Sequence, residues 1–312
     1  MIRRATPADL DLLLSARQHD PVALVDEERF RRELDLGQYR FEWSFVDEVE
    51  GRLRARALWW GPPEAEHPIS LDCVWVDPAE ADPTTVAAQL VRAGHQALFA
   101  AGLKTRPDFI VTVDPAWRKD PDAVVAAHWR TEAVARAGLT ERIERLSYAW
   151  TPADPLPARS TRLTFDPADD SAFLDVFAQV AQQSLDLLTL QNLRELGAEA
   201  QAADDLEFYL SLPGDRGLWR LARNAERHLV GFVIPSRSAY DASVSYLGVV
   251  PGQRGHGFVD DLLAEITHVH AANGAPRITA TTDTTNAPMA AAFLRNGYRI
   301  TKARLVFTAP TS

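Results

Sequence analysis

The chain has 312 residues, enough for two domains of ordinary size, and its 46% hydrophobic and 24% charged residues fit a globular protein. A formal net charge of −10 disfavours a broad phosphate-binding surface, so no nucleic-acid partner is expected. No apolar run reaches the roughly 18–20 residues of a membrane span, Met1–Pro7 lacks the apolar core of a signal peptide, and the single cysteine, Cys73, rules out an internal disulfide or thiolate metal site, so a cytoplasmic protein without membrane or metal is expected.

Taken along the chain, Ile69–Val76 reads as a strand that buries Cys73 as a small hydrophobe. A helix follows Pro78 and ends at Ala100-Ala101-Gly102. A strand follows over Asp108–Val113, and then a helix ending at Ala137-Gly138. Trp150–Thr161, with Pro152, Asp154, Pro155 and Pro157, reads as a linker between domains at 1–150 and 162–312. Beyond it a strand is expected over Arg162–Phe165. Asp169–Ala181 is a helix whose Phe173, Val176, Phe177 and Val180 share one face, and Glu195–Leu210 is a second helix. Leu218–Arg223 and Leu229–Pro235 form a hairpin, followed by a strand over Ala242–Val250. Gly257–Ala272 is an amphipathic helix, Arg277–Thr282 a strand and Ala287–Arg295 a helix stopped by Asn296-Gly297. Tyr298–Thr308 closes the chain as one or two strands. Strands mixed with helices on both sides of the linker give an α/β or α+β class.

The halves share an order. Val76-Asp77-Pro78 parallels Val249-Val250-Pro251, and each leads through a helix to a small-residue turn, 24 positions from Pro78 to Gly102 and 23 from Pro251 to Gly274. This spacing suggests a duplication without proving it, the alternative being two unrelated α/β halves.

Chemistry concentrates in Tyr246–Val259. A strand ends at Pro251, and a turn holding Arg254, Gly255 and Gly257 enters a helix directly. The first N–H groups of a helix have no internal partner, and the helix dipole adds positive charge there. Glycines let the backbone approach an anion, and an arginine supplies a planar fork of donors. The stretch is therefore an anion cradle. It is neither G-x-x-x-x-G-K-[ST] nor a full G-x-G-x-x-G.

V-x-P-x-x-R-G-x-G between strand and helix resembles the acyl-CoA loop of the GNAT N-acetyltransferases. Val249, Pro251, Arg254, Gly255 and Gly257 match it. Asn286 and Gly297-Tyr298 match the downstream signature, an Asn opening a helix that ends in Gly-aromatic. The resemblance spans Arg162–Phe307. It implies two tandem GNAT-like domains, each a mixed, mostly antiparallel sheet flanked by helices, with acetyl-CoA as co-substrate of the second. Its tandem layout and its Ala-, Arg-, Asp- and Leu-rich composition resemble actinobacterial members. By that resemblance Leu247, Gly248 and Val249 hold the pantetheine arm along a splayed strand. Gly255, His256, Gly257, Phe258 and Val259 hold the pyrophosphate beside Arg254, and Asn286 and Phe293 lie near the thiol end.

The chain departs from the family's pattern at three places. Val259 stands where Gly or Ala is usual. Phe293 occupies the place of the Tyr that protonates the leaving thiolate, and Thr281 that of a Glu base. Asp283, Tyr246 and Asp241 are the substitutes considered for acid and base, with Asp283 and Tyr246 preferred. The first half has Ala79-Glu80-Ala81-Asp82 in place of the cradle, and its carboxylates repel a pyrophosphate. The expected activity is acetyl transfer by direct attack of a small-molecule amine, in a monomer or homodimer. The alternative is an acyl-CoA-binding sensor without turnover.

Overall fold

The computed structural model describes residues 1–16, 20–22, 25–238 and 240–310. It forms two compact units, Met1–Glu144 with Ala303–Ser312, and Arg145–Lys302. The N-terminal stretch of chain runs β1 (Ile2–Arg4), α1 (Leu10–Leu14), α2 (Glu27–Asp35), β2 (Tyr39–Val49), β3 (Arg52–Trp60), β4 (Ser70–Val76), α3 (Pro83–Ala100), β5 (Asp108–Val113), α4 (Pro121–Arg136) and β6 (Glu141–Trp150). The C-terminal stretch runs β7 (Thr164–Asp166), α5 (Asp170–Ala181), α6 (Leu187–Leu196), α7 (Ala198–Ser211), β8 (Arg220–Arg223), β9 (Leu229–Arg237), β10 (Ala242–Val249), α8 (Phe258–Ala272), β11 (Ile278–Asp283), α9 (Ala287–Arg295) and β12 (Arg299–Thr308). Among the described residues the two orders coincide except for one added helix in the second.

Pairing repeats as well. Strands β1 to β4 are antiparallel neighbours and β4 meets β5 in parallel, as β7 to β10 are antiparallel and β10 meets β11 in parallel. The last strands are exchanged. β5 pairs with Ala303–Phe307 of β12, and β11 pairs with Arg145–Trp150 of β6. Compact units thus follow strand pairing, and the segments on either side of the expected 151–161 linker are shared differently from a cut at Trp150.

The expected single helix over Glu195–Leu210 is corrected. Gly197 sits at φ 82° and separates α6 from α7, a conformation that costs a glycine little and other residues much. Asp186 starts α6 by accepting from Thr189 N at 2.9 Å. The spacing of Phe173, Val176, Phe177 and Val180 does bury one face of α5, packed on Trp219, Leu221, Phe232 and Ile234. Each such phenyl ring contributes about 1.5–3 kcal/mol by leaving water.

Both parallel junctions open almost at once. β4 and β5 pair only at Ser70–Asp108 and Leu71–Phe109, and β10 and β11 only at Ala242–Ile278 and Ser243–Thr279. A bulge accompanies each fork, at Asp72 in β4 and at Ser245 in β10. In the first unit the fork is filled from within. The buried Arg130 donates from Nε to Val74 O (3.1 Å), from Nη1 to Ala126 O (3.0 Å) and from Nη2 to Asp20 (2.5 Å). Asp82 caps the start of α3 by accepting from Thr85 N at 3.0 Å.

Candidate active site

The second fork is open. Between β10 and β11 lies a cleft of about 940 Å³, lined only by residues of the unit Arg145–Lys302. Val244–Val249 has β9 on one side and, among the described residues, no strand on the other beyond Ser243. A row of backbone donors and acceptors therefore faces the cleft, with Leu247 and Val249 along it. Gly248 lines the cleft between them and also serves packing. A Cβ there would lie 2.7 Å from Val180 Cγ1 and 2.9 Å from Phe232 Cε1, so the glycine lets α5 and β9 close on β10.

At the end of β10, Gly255 (φ 82°) and Gly257 (φ 74°) turn the chain into α8. Gly257 is the N-cap, and no side chain caps the helix, unlike α3 with its Asp82. A Cβ at Gly255 would meet nothing within 4 Å, and one at Gly257 only Arg162 Nη2 at 3.9 Å. The backbone at both glycines is thus open to close approach, and because Asp260 N bonds to Gly257 O (3.1 Å), the donors left at the start of α8 are the N–H groups of Phe258 and Val259. Phe258 and Val259 line the cleft beside them.

Arg254 lines the cleft at the loop, with its guanidinium engaged by the protein itself. Its Nε donates to Val249 O (3.1 Å), Nη1 to Gln183 O (2.5 Å) and Nη2 to Val180 O (3.4 Å). The guanidinium is spent on backbone carbonyls and ties the loop to β10 and to the end of α5. The cation that reaches the loop from outside is Arg162, which the sequence reading passed over. It donates to His256 O at 2.9 Å, pairs with Asp261 and lies 4.8 Å from the Phe258 ring centre. The His256 ring is exposed and lies off the cleft, with Nδ1 3.3 Å from Gln253 O.

Asn286 lines the cleft and caps α9, its Oδ1 accepting from Met289 N at 3.3 Å. Phe293 is buried, stacked on Tyr148 at 4.5 Å between ring centres, and offers no proton. Thr281 is exposed in the cleft wall.

Two of the acid–base expectations are corrected. Asp283 is 1% exposed and does not line the cleft. Its Oδ1 accepts from Arg145 Nε (2.6 Å) and its Oδ2 from Leu187 N (2.9 Å). Both oxygens are committed to anchoring the start of α6. Asp241 is held by Arg277 through two bonds of 2.8 and 2.6 Å and is likewise remote from the cleft. Tyr246 does line the cleft, and its buried hydroxyl has no partner in the protein. Burial, with Tyr209, Asp205 and Asp186 nearby, pushes the phenol well above its ordinary value. It therefore remains protonated, a donor and not a base.

The carboxylate suited to a base is Asp205 on α7. Its Oδ1 accepts from Gln201 Nε2 at 2.7 Å, and its Oδ2 is buried without a partner. Burial pushes its pKa up to about 6; Asp186 and Asp204 push the same way, and the Gln201 bond opposes. A base poised near neutrality can accept a proton without holding it. Gln201, Asp205 and Tyr209 recur every four residues and share one face of α7, all three lining the cleft. That spacing was the signal available in the sequence. Among the described residues, no group of three or more His, Cys, Asp or Glu is placed to hold a metal ion, and no helix is long and apolar enough to cross a membrane.

No family model and no curated protein matches the sequence. Solved structures match the fold. A GCN5-related N-acetyltransferase from Sphaerobacter thermophilus superposes with a TM-score of 0.58 at 17% identity, covering 98% of this chain and 94% of its own. A functionally unknown conserved protein from Staphylococcus epidermidis gives 0.52 at 11%, covering 85% of this chain and 95% of its own. The glucosamine N-acetyltransferase region of a fungal multi-domain β-N-acetylglucosaminidase gives 0.52 at 11%, with 98% of this chain matched to 38% of that one. With β strands forking beside a glycine-rich helix start, and with these neighbours, the chain has the fold of the GNAT acetyltransferases.

Proposed function

We propose that the chain is an N-acetyltransferase that binds acetyl-CoA in the cleft of its C-terminal unit and acetylates an amine by direct attack. One observation carries this reading: the unpaired edge of β10 and the uncapped start of α8 are continuous along one cleft. The edge suits an extended amide-bearing chain, and the helix start suits a pyrophosphate. Arg162 adds a cation beside the loop, and Arg254 fixes the loop's position.

Acetyl-CoA bound there supplies an acetyl carbon activated as a thioester. Leu247 and Val249 hold the arm through their backbone, and Gly255, Gly257, Phe258 and Val259 offer the pyrophosphate their N–H groups. Asn286 and Phe293 wall the thiol end. Asp205 accepts a proton from the incoming amine, and Tyr246 donates a hydrogen bond in the same part of the cleft. Holding two reactants in line supplies much of the rate. The unit Met1–Glu144 with Ala303–Ser312 has Arg130 and Asp82 where ligand groups would bind, and it holds no acyl-CoA.

Calorimetry with acetyl-CoA tests the reading. One site per chain is the expected result. No binding at millimolar concentration overturns it. Binding without acetylation of any amine in a broad panel assigns the chain instead as an acyl-CoA-binding protein.

A further inference from the structure

The acceptor end of the cleft specifies its ligand more closely than the fold does. Three polar atoms meet there without a partner in the protein: Gln201 Oε1, Asp205 Oδ2 and the Tyr246 hydroxyl. Gln201 is only 2% exposed. A side-chain amide buried to that degree with its oxygen unpaired costs about 1–3 kcal/mol unless a ligand completes it. The groups are contiguous. Gln201 donates to Asp205 at 2.7 Å, and the ring of Tyr209 stacks on Tyr246 with centres 5.0 Å apart. Two of the three atoms can only accept, and the phenol oxygen also can. Their complement is a group with several N–H donors on one atom, which is an ammonium. A hydroxyl has one donor and would leave two atoms unpaired.

The charges facing Asp205 agree. Asp204 and Asp205 come from α7 and Asp186 from the start of α6, with Tyr209 and Tyr246 between. Arg145 on β6 and Arg254 are the cations lining the cleft; Asp186 (2.7 Å) and Asp283 (2.6 Å) already neutralise the first, and backbone carbonyls hold the second. Neither Asp204 nor Asp205 has an ion pair among the described residues, and of the two Asp205 is the one drawn out of solvent, its Oδ2 buried.

The same cleft has exposed apolar side chains beside the exposed Asp204. Leu185, Leu188 and Phe208 line it and are 48%, 47% and 55% exposed. A polyhydroxylated amine would set hydroxyls against these side chains, and the second cation of a polyamine would meet only a solvent-exposed carboxylate, Asp204, where an ion pair contributes little.

We infer, resting on the acetyltransferase reading, that the acceptor is a compact primary amine on an apolar body, its ammonium held by Gln201, Asp205 and Tyr246 and its body against Leu188 and Phe208. Asp205 takes one proton from the ammonium and frees the nitrogen lone pair. The nitrogen then bonds to the acetyl carbon as the carbon–sulfur bond breaks. The electron pair of that bond goes to sulfur, which takes the second proton from nitrogen.

The test uses 2-phenylethylamine, glucosamine and spermidine with the full chain, by calorimetry without acetyl-CoA and by acetyl transfer with it. The expected kcat/KM for 2-phenylethylamine exceeds the other two at least tenfold. Asp205→Asn lowers it about 100-fold or more, leaves the Kd for acetyl-CoA unchanged, and removes a rising limb near pH 6 from the pH profile of kcat/KM. Phe208→Ser raises KM for 2-phenylethylamine alone. Equal use of the three amines, a preference for either polar one, or full activity of Asp205→Asn overturns the inference. Acetyl-CoA binding without amine binding overturns the inference and spares the acetyltransferase reading. Amine binding without acetyl-CoA binding overturns both, because an acceptor needs the acetyl donor.

Discussion

Asp205 is held at a cost to the fold, and that cost can be measured. Its pKa rises from 3.8 in the unfolded chain to about 6 in the folded one. A carboxyl with a raised folded value favours the protonated form when native. Below pH 3.8 it carries no penalty, and between about 4 and 6 the penalty develops. Above pH 6 it is complete, because folding must then bury a charge. Asp205→Asn keeps the shape and the Gln201 contact and removes that charge. The variant is expected to melt at a higher temperature than the parent at pH 7.5 and at the same temperature near pH 4. An unchanged melting temperature at pH 7.5 would show that the carboxylate is not strained. Gly257 has the opposite character, since it is needed for its backbone. At φ 74° a side chain costs roughly 1–2 kcal/mol, and a carboxylate there points charge at the helix start. Gly257→Glu should abolish acetyl-CoA binding by calorimetry with the far-ultraviolet circular dichroism unchanged.

At the scale of elements, α6 is the piece with the weakest hold. No side chain of α6 is fully buried. Its start is fixed by Asp186, which pairs with Arg145, and by Leu187 N, which donates to Asp283. Asp283 is the buried centre of that knot. Removing one partner of a buried pair typically costs about 3–5 kcal/mol, so Asp283→Ala should lower the unfolding free energy by about 3 kcal/mol in urea. It should also expose the α6 segment to proteolysis first, and raise KM for the amine more than the Kd for acetyl-CoA. The origin of this arrangement explains what could be read in advance. The glycine-rich loop was legible because its φ angles, its N–H groups and its neighbours in sequence are all local. The helix stripes of α5 and α8 were legible for the same reason. Asp283 and Arg254 were not, because their roles depend on partners far along the chain. Asp283 answers to Arg145, 138 positions away, and Arg254 to Gln183, 71 positions away. Asp205 showed in sequence only its four-residue spacing with Gln201 and Tyr209, which carries no sign of the burial that raises its pKa. Gly197 was readable as a break, and the continuity of helix-forming residues on either side concealed it.

At the scale of the molecule, the duplicated order of elements ends in an exchange. β11 takes as its antiparallel neighbour Arg145–Trp150 of β6, across six pairs from Ile278–Trp150 to Asp283–Arg145. Those residues precede the Pro-rich segment that sequence marks as the boundary. Strand partners this distant leave no trace in local propensity, which is why the domain limits and the compact units part company here. The consequence is testable. A fragment of 162–312 carries the whole cradle but lacks the strand beside β11, and it also loses Arg145, the partner of both Asp186 and Asp283. Its β11 edge is unpaired and its α6 unanchored, so it should aggregate and show no acetyl-CoA binding. A fragment of 145–302 is shorter at its C-terminus yet contains every residue lining the cleft and the strand that covers β11. It should remain monomeric by light scattering and bind acetyl-CoA within about tenfold of the full chain. If 162–312 binds as well as 145–302, then β6 is dispensable to the cleft, and the unit built on strand exchange is not the one that carries the ligand.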